Sequence, residues 1–75
     1  MNALRHAVLR SVSNQLLKCQ SDLDACRDDE LADYEALPYW LHNSDSGTVL
    51  FDTTIKLDRA CSLLSQAITS LLEAL

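Results

Sequence analysis

The chain has 75 residues, of which 48% are hydrophobic, and it contains one glycine and one proline. Such a low content of glycine and proline argues against both a turn-rich β fold and a disordered chain. Helix is therefore the expected structure. The formal net charge of -5 disfavours binding to nucleic acid or to anionic membranes, since both are bound mainly through clusters of lysine and arginine.

The first half of the chain has apolar residues at alternating steps of three and four, the spacing of a helix that packs against another helix. The positions are Leu9, Val12, Leu16, Cys19, Leu23 and Cys26. Pro38 lacks an amide hydrogen and disfavours helical geometry at Leu37. The sequence therefore predicts a first helix over residues 2–36.

Residues 37–49 combine Pro38 with a polar cluster that ends at Gly47, which predicts a connection that can include a short helical turn. The second helix is predicted over residues 50–74, with Thr48 or Asp52 as its N-terminal cap. It keeps the spacing of three and four for more than three heptads. Its seam residues are Leu50, Thr54, Leu57, Cys61, Leu64, Ile68, Leu71 and Leu75.

The two helices are expected to fold back on each other as an antiparallel hairpin, in a single all-α domain over residues 1–75. Facing residues of an antiparallel pair have numbers with a constant sum, and a sum of 87 puts the turn inside the polar cluster. This register predicts that Cys26 faces Cys61. It also predicts that Lys56 and Arg59 lie beside the acidic end of the first helix.

The apolar arc of the second helix is wider than one partner helix can cover. Alanines and leucines flank its seam, so that roughly half of its circumference is apolar. A 75-residue domain is also too small to rely on its own core, so we expect it to need a disulfide, a metal or a second chain. We therefore expect a homodimer that forms a four-helix bundle, or else a complex with another helical protein. The residues predicted at this interface are Leu57, Cys61, Leu64, Ile68, Leu71 and Leu72.

Acidic residues accumulate near the C-terminus of the first helix, where the helix dipole disfavours negative charge. They form either a solvated face, partly neutralised by Lys56 and Arg59, or a docking patch for a basic partner. The nearby aromatic residues either close the end of the hairpin core, which is the favoured interpretation, or act as a binding hot spot. The residues predicted for partner binding are Asp29, Glu30, Asp33, Tyr39 and Trp40.

Three cysteines without an expected secretory signal predict reduced thiols and a cytoplasmic location. Packing in the core explains them best, since cysteine behaves as a small apolar residue. The two histidines, His6 and His42, belong to opposite ends of the hairpin, and neither lies near a suitable nucleophile. We therefore predict no catalytic residue, no cofactor and no metal site. No apolar run is long enough to predict a membrane span.

These features favour a small cytosolic protein–protein interaction module, such as an adaptor, a chaperone-like protein, an inhibitor or a regulator, that acts through helix packing without catalysis. Two alternatives belong to other classes. A dimeric nucleic-acid-associated regulator would use the basic N-terminal residues Arg5, Arg10 and Lys18. A cysteine-based redox switch would lock the hairpin by oxidation of Cys26 with Cys61.

Overall fold

The protein consists of two long helices packed antiparallel, in a computed structural model that describes residues 2–75. Helix α1 spans Ala3–Glu35, a single 3-10 turn spans Tyr39–Leu41, and helix α2 spans Asp45–Ala74. The hairpin measures 58 × 15 × 13 Å. The predicted all-α helical hairpin is thus confirmed. Within residues 2–75, neither helix has an apolar stretch of the length needed to cross a bilayer.

Helix α1 begins at a polar cap and ends just before a proline. The side-chain oxygen of Asn2 accepts a hydrogen bond from the amide of Arg5 at 2.8 Å and so satisfies one of the free amides of the first turn. The helix ends at Glu35, and Pro38 follows within the connection. These bounds agree with the predicted range of 2–36 to within about one residue, the usual uncertainty of helix ends.

Helix α2 begins at Asp45, earlier than the residue 50 that the sequence predicts. The reason is its cap, Ser44, whose hydroxyl oxygen accepts a hydrogen bond from the amide of Gly47 at 3.2 Å. Neither Thr48 nor Asp52 is therefore the N-cap, and the residues after Ser44 belong to the helix instead of the connection.

The loop end of the hairpin is closed by contacts among α1, the connection and α2. The ring centroid of Tyr34 lies 4.6 Å from that of His42 and 5.3 Å from that of Phe51. The Nε2 atom of His42 is 2.9 Å from the carbonyl oxygen of Leu37. Gly47 is buried beneath this turn, where a Cβ atom would lie 2.5 Å from the carbonyl oxygen of His42. Only glycine fits there, because the two backbones approach so closely.

The opposite end of the hairpin holds both chain ends. There, the Nε2 atom of His6 lies 3.4 Å from the carbonyl oxygen of Leu75. This contact joins the first turn of α1 to the end of α2, so the two helices stay together over their whole length.

The interior of the hairpin combines a regular apolar seam on α2 with a mixed stripe on α1. On α2 the burial pattern confirms the predicted seam, since all eight of its residues are buried or half-buried. On α1 the stripe that packs against α2 includes polar residues. Its members are His6, Leu9, Ser13, Leu16, Gln20, Leu23, Arg27, Glu30 and Tyr34. Within residues 2–75 the buried positions of the two helices are Ser13, Gly47, Thr54, Cys61 and Ile68.

Two hydroxyl groups are buried at no cost in lost hydrogen bonds, since they bond to their own helices. The Oγ atom of Ser13 donates to the carbonyl oxygen of Leu9 at 3.0 Å, and the Oγ1 atom of Thr54 donates to that of Leu50 at 2.9 Å. Over residues 2–75, no buried side-chain nitrogen or oxygen lacks a partner. The centre of the hairpin is therefore narrow and fully bonded.

The helices pair in a register that differs from the predicted one. The side chains of Arg27 and Asp58 lie 3.3 Å apart, and their residue numbers add up to 85, as do those of the stacked Tyr34 and Phe51. The predicted sum of 87 was therefore wrong. It assumed that Cys26 lies in the seam, whereas the residue at the seam is its neighbour Arg27.

Candidate functional site

One long side of the hairpin carries a row of leucines that the chain covers only in part. These leucines recur every seven residues along both helices and are all half-buried: Leu9, Leu16, Leu23, Leu50, Leu57, Leu64 and Leu71. Small or apolar residues flank them, in most cases three positions later: Val12, Cys19, Cys26, Ala60, Ala67 and Ala74. Residues three apart lie on the same side of a helix. We call this surface, formed by both sets, the leucine face.

Three grooves lie on or beside the leucine face, each lined by apolar residues together with one or two polar ones. The first is lined by Leu4, Arg5, Val8 and Leu9, the second by Cys19, Asp22, Leu23, Cys26 and Leu64, and the third by Asp45, Ser46, Val49 and Leu50. They lie near the chain ends, at the middle and near the loop end. Leu4 alone exposes 75% of its surface. Apolar surface exposed in a continuous row is typical of a protein contact.

The hairpin exposes more surface than a compact protein of its mass. Its accessible area is 5489 Å², whereas a compact monomer of 8.4 kDa exposes about 4,600 Å². The excess of about 900 Å² is close to the roughly 800 Å² that each partner buries in a protein interface of standard size. One further contact of ordinary size would therefore bring the chain to normal burial.

The opposite side of the hairpin is polar and centres on Arg27. Its guanidinium lies 3.2 Å from Asp28, 3.3 Å from Asp58 and 4.0 Å from Asp24, so it joins α1 to α2. The hydrogen bond to Asp28 is the main cause of the raised pKa of Arg27. Burial, followed by a hydrogen bond to Asp24, raises the pKa of the neighbouring Cys61 thiol. This side is thus a satisfied network of charges.

The cysteine pair proposed for a redox switch does not share an environment. Cys26 is exposed and lines a groove of the leucine face, whereas Cys61 is buried beside Asp24 and Arg27. Since the thiolate is the form that reacts, the raised pKa of Cys61 makes it a poor switch. Nor do residues 2–75 contain a group of three or more histidine, cysteine or acidic side chains that could hold a metal ion.

The predicted interface residues fall into three groups. Leu57, Leu64 and Leu71 belong to the leucine face. Cys61 and Ile68 are instead buried between the two helices of one chain. Leu72 lies seven residues from Ser65, which lines the polar side, and exposes 49% of its surface there.

Sequence reasoning missed the share that α1 contributes to this surface. Leu9, Leu16 and Leu23 were assigned only to the contact with α2, yet all three remain half-exposed. The signal was present in the sequence, because the apolar stripe of α1 also includes Val12, Cys19 and Cys26. That stripe is too wide for one partner helix.

The acidic end of α1 is not neutralised in the way that the sequence suggested. Asp29 and Asp33 are exposed and Glu30 is half-buried. Among residues 2–75 none of the three takes part in a salt bridge. Lys56 instead pairs with Asp52 of its own helix, at 2.8 Å. This end of the hairpin therefore remains strongly negative.

The two aromatic residues of the connection, Tyr39 and Trp40, are exposed to solvent at the loop end. Tyr39 exposes 89% of its surface and Trp40 exposes 76%. Trp40 therefore does not close the core, contrary to the favoured interpretation, since the half-buried Tyr34 and His42 occupy that place. The loop end therefore exposes a large indole that is close in sequence to the unpaired carboxylates.

The basic residues of the N-terminal segment do not form one patch. At about 100° per residue, Arg5 and Arg10 lie roughly 140° apart around α1, and Lys18 lies roughly 80° further on. A phosphate backbone needs cations on a common face, so this spread disfavours the nucleic-acid hypothesis.

Comparisons of the chain with models of protein families, with curated proteins and with solved structures find no match. The function proposed for this protein therefore rests on the leucine face itself.

Proposed function

We propose that the protein is a small, non-catalytic interaction module of the cytoplasm, which acts by packing its leucine face against helices of another chain. The observation that carries this proposal is the row of half-buried leucines along both helices. Burial of apolar surface contributes roughly 25 cal/mol per Å². A lone hairpin leaves much of that stabilisation unused. An adaptor, a chaperone-like protein or an inhibitor would use such a face in the same way.

In this proposal a second hairpin covers the leucine face and completes a four-helix bundle. Bundles of this kind place leucines at the centre and smaller side chains where neighbouring helices approach. The order found here matches that requirement, since Ala60 and Ala67 lie beside Leu57 and Leu64.

We further propose that the loop end selects the partner on which the assembled module acts. Trp40 and Tyr39 are exposed there, close in sequence to the unpaired carboxylates of Asp29, Glu30 and Asp33. Exposed tryptophan and tyrosine side chains are typical anchors of protein contacts. Negative charge around them favours a partner with a basic surface.

The test measures association and stability together, by sedimentation equilibrium and by thermal melts at several concentrations of the purified chain. We expect a dimer at micromolar concentration and a melting temperature that rises with concentration. The Ala67→Glu variant places a charge on the leucine face at a residue that the hairpin leaves exposed. It should be monomeric and should melt at a lower temperature.

The matched control is Ala7→Glu, which makes the same change at an exposed residue pointing away from both the leucine face and α2. It should remain dimeric. A wild-type chain that is a monodisperse monomer and melts cooperatively at micromolar concentration would contradict the proposal.

A further inference from the structure

Two hairpins that meet by the same face about a two-fold axis have two possible arrangements. If the axis runs along the helices, both loop ends lie at the same end of the bundle and α1 faces the partner's α2. If the axis runs across the helices, the loop ends lie at opposite ends and α1 faces the partner's α1, antiparallel. The two arrangements bring different charges together.

The charge of α1 separates the two arrangements. Residues 1–21 contain three basic residues and no acid, whereas residues 22–36 contain seven acids and one arginine. With both loop ends together, each acidic segment would face the partner's α2, and both acidic segments would lie at the same end of the bundle. With the loop ends apart, each acidic segment faces the partner's basic segment. Since like charges brought together at an interface oppose association, the second arrangement is favoured.

One stripe of residues along α1 determines the register in which α1 pairs with the partner's α1. Its five residues are spaced seven apart along the edge of the leucine face: Arg5, Val12, Cys19, Cys26 and Asp33. Cys19 is the central member, and the charges at the two ends are opposite. Antiparallel pairing about Cys19 puts Arg5 beside the partner subunit's Asp33 and Cys19 beside the partner subunit's Cys19.

The packing of α2 against the partner's α2 is compatible with the same two-fold axis. Ala60, Ala67 and Ala74 repeat at the same spacing along its edge of the leucine face, so α2 can approach the partner's α2 closely. Ala67 lies almost level with Cys19, because their residue numbers add up to 86 while facing residues add up to 85. One axis therefore passes near both residues. The surface excess of the whole chain, about 900 Å², is close to the roughly 800 Å² that each partner buries in a standard interface, so it fits one second copy.

We propose that the leucine face binds a second copy of this chain with the loop ends at opposite ends of the bundle and Cys19 of both copies at the two-fold axis. This inference rests on the proposed function and specifies its partner. In the resulting dimer, Trp40 and the acidic residues near it are presented twice, once at each end.

The test uses the native cysteines as reporters. The wild-type chain and its Cys19→Ser and Cys26→Ser variants are treated with diamide, which takes up the two hydrogens released when two thiols form a disulfide. We expect a covalent dimer linked through Cys19 in the wild type and in Cys26→Ser. We expect no covalent dimer in Cys19→Ser, although sedimentation should still show its non-covalent dimer.

A charge exchange tests the register independently. Arg5→Glu should raise the dissociation constant by about tenfold, because two exposed pairs per dimer change from attraction to repulsion. Asp33→Arg in the same chain should restore the wild-type value.

The outcomes distinguish this inference from the function on which it rests. A dimer by sedimentation that gives no Cys19 disulfide, or that links through Cys26 alone, would overturn this arrangement and leave the interaction module in place. A monomer at micromolar concentration would overturn both.

Discussion

The polar side around Arg27 and the leucine face differ in how far one chain can satisfy them. Around Arg27, three carboxylates lie within 4.0 Å of the guanidinium, and the Cys61 thiol is buried beside it. On the leucine face, every leucine remains half-exposed. One chain thus pairs the charges around Arg27 but covers the leucines of the leucine face only in part. The two sides therefore differ in how much of their surface one chain pairs or buries.

The largest effect is expected from a charge placed on the leucine face. Leu16→Lys should abolish association and destabilise the hairpin, because Leu16 is half-buried and a lysine there would place a charge among apolar side chains. Its neighbour Leu17, which exposes 44% of its surface, provides the control. Leu17→Lys should remain folded and dimeric by circular dichroism and sedimentation. Equal losses in both variants would mean that the two sides do not differ as described.

A smaller loss of stability is expected when the ion pairs of the polar side are removed. Arg27→Gln removes the ion pairs to Asp24, Asp28 and Asp58 and leaves these carboxylates unneutralised. The network is largely exposed to solvent, so the free energy of unfolding should fall only slightly, and the loss should shrink in high salt. The dissociation constant of the dimer should hardly change. Urea melts and sedimentation at two salt concentrations measure both quantities.

The pH dependence of stability tests the burial of the Cys61 thiol on the polar side. Burial raises the pKa of Cys61 above its ordinary value of 9.0, so the folded chain holds the thiol proton more tightly than the unfolded chain does. Its contribution to stability is therefore complete below pH 9 and is lost as the pH rises through the folded pKa. We expect the melting temperature of the wild type to fall more steeply above pH 9 than that of Cys61→Ala. Parallel curves would contradict this role of burial.

The smallest effect on stability is expected at the loop end. Trp40 exposes 76% of its surface, so Trp40→Ala should change the free energy of unfolding by no more than about 0.5 kcal/mol. Phe51→Ala is the informative counterpart, because Phe51 exposes a smaller fraction, 48%, and its ring centroid lies 5.3 Å from that of Tyr34. A large loss of stability in Trp40→Ala, measured by thermal melts, would restore its role as a cap.

The sequence predicted α2 well because apolar residues occupy its seam without interruption, apart from Thr54. It predicted the seam of α1 only in part. There, the stripe that packs against α2 includes Ser13, Gln20 and Arg27, whereas the apolar neighbours of these residues turn toward the leucine face. Hydrophobic spacing shows which side of a helix is apolar, but it does not show which of two partners that side meets.

The connection shows a second limit of sequence reasoning. Gly47 was interpreted as part of a turn, yet it lies inside the first turn of α2, where the backbone of the connection passes above it. Ser44 was overlooked as a cap for the same reason. Both roles depend on how closely the connection crosses α2, which is a tertiary distance that local residue preferences do not contain.

The candidate site could be predicted in outline. Leu57, Leu64 and Leu71 were identified from the width of the apolar arc of α2, and they do form part of the leucine face. Cys61 and Ile68 belong to the same heptads but lie one step around the helix, where α1 covers them. A rotation of about 50° around the axis of α2 separates the residues that α1 buries from the residues of the leucine face. The sequence pattern alone does not resolve so small an angle.

The contact between the side chain of His6 and the carbonyl oxygen of Leu75, at 3.4 Å, places the first turn of α1 beside the end of α2. A short peptide linker would therefore close the chain into a circle without stretching either helix. New ends could then be opened between the exposed residues Tyr39 and Trp40, in the connection. Such a circular permutant would keep every helix–helix contact while exchanging the order of α1 and α2 along the polypeptide. The pairing of the two helices thus does not depend on which helix comes first along the polypeptide.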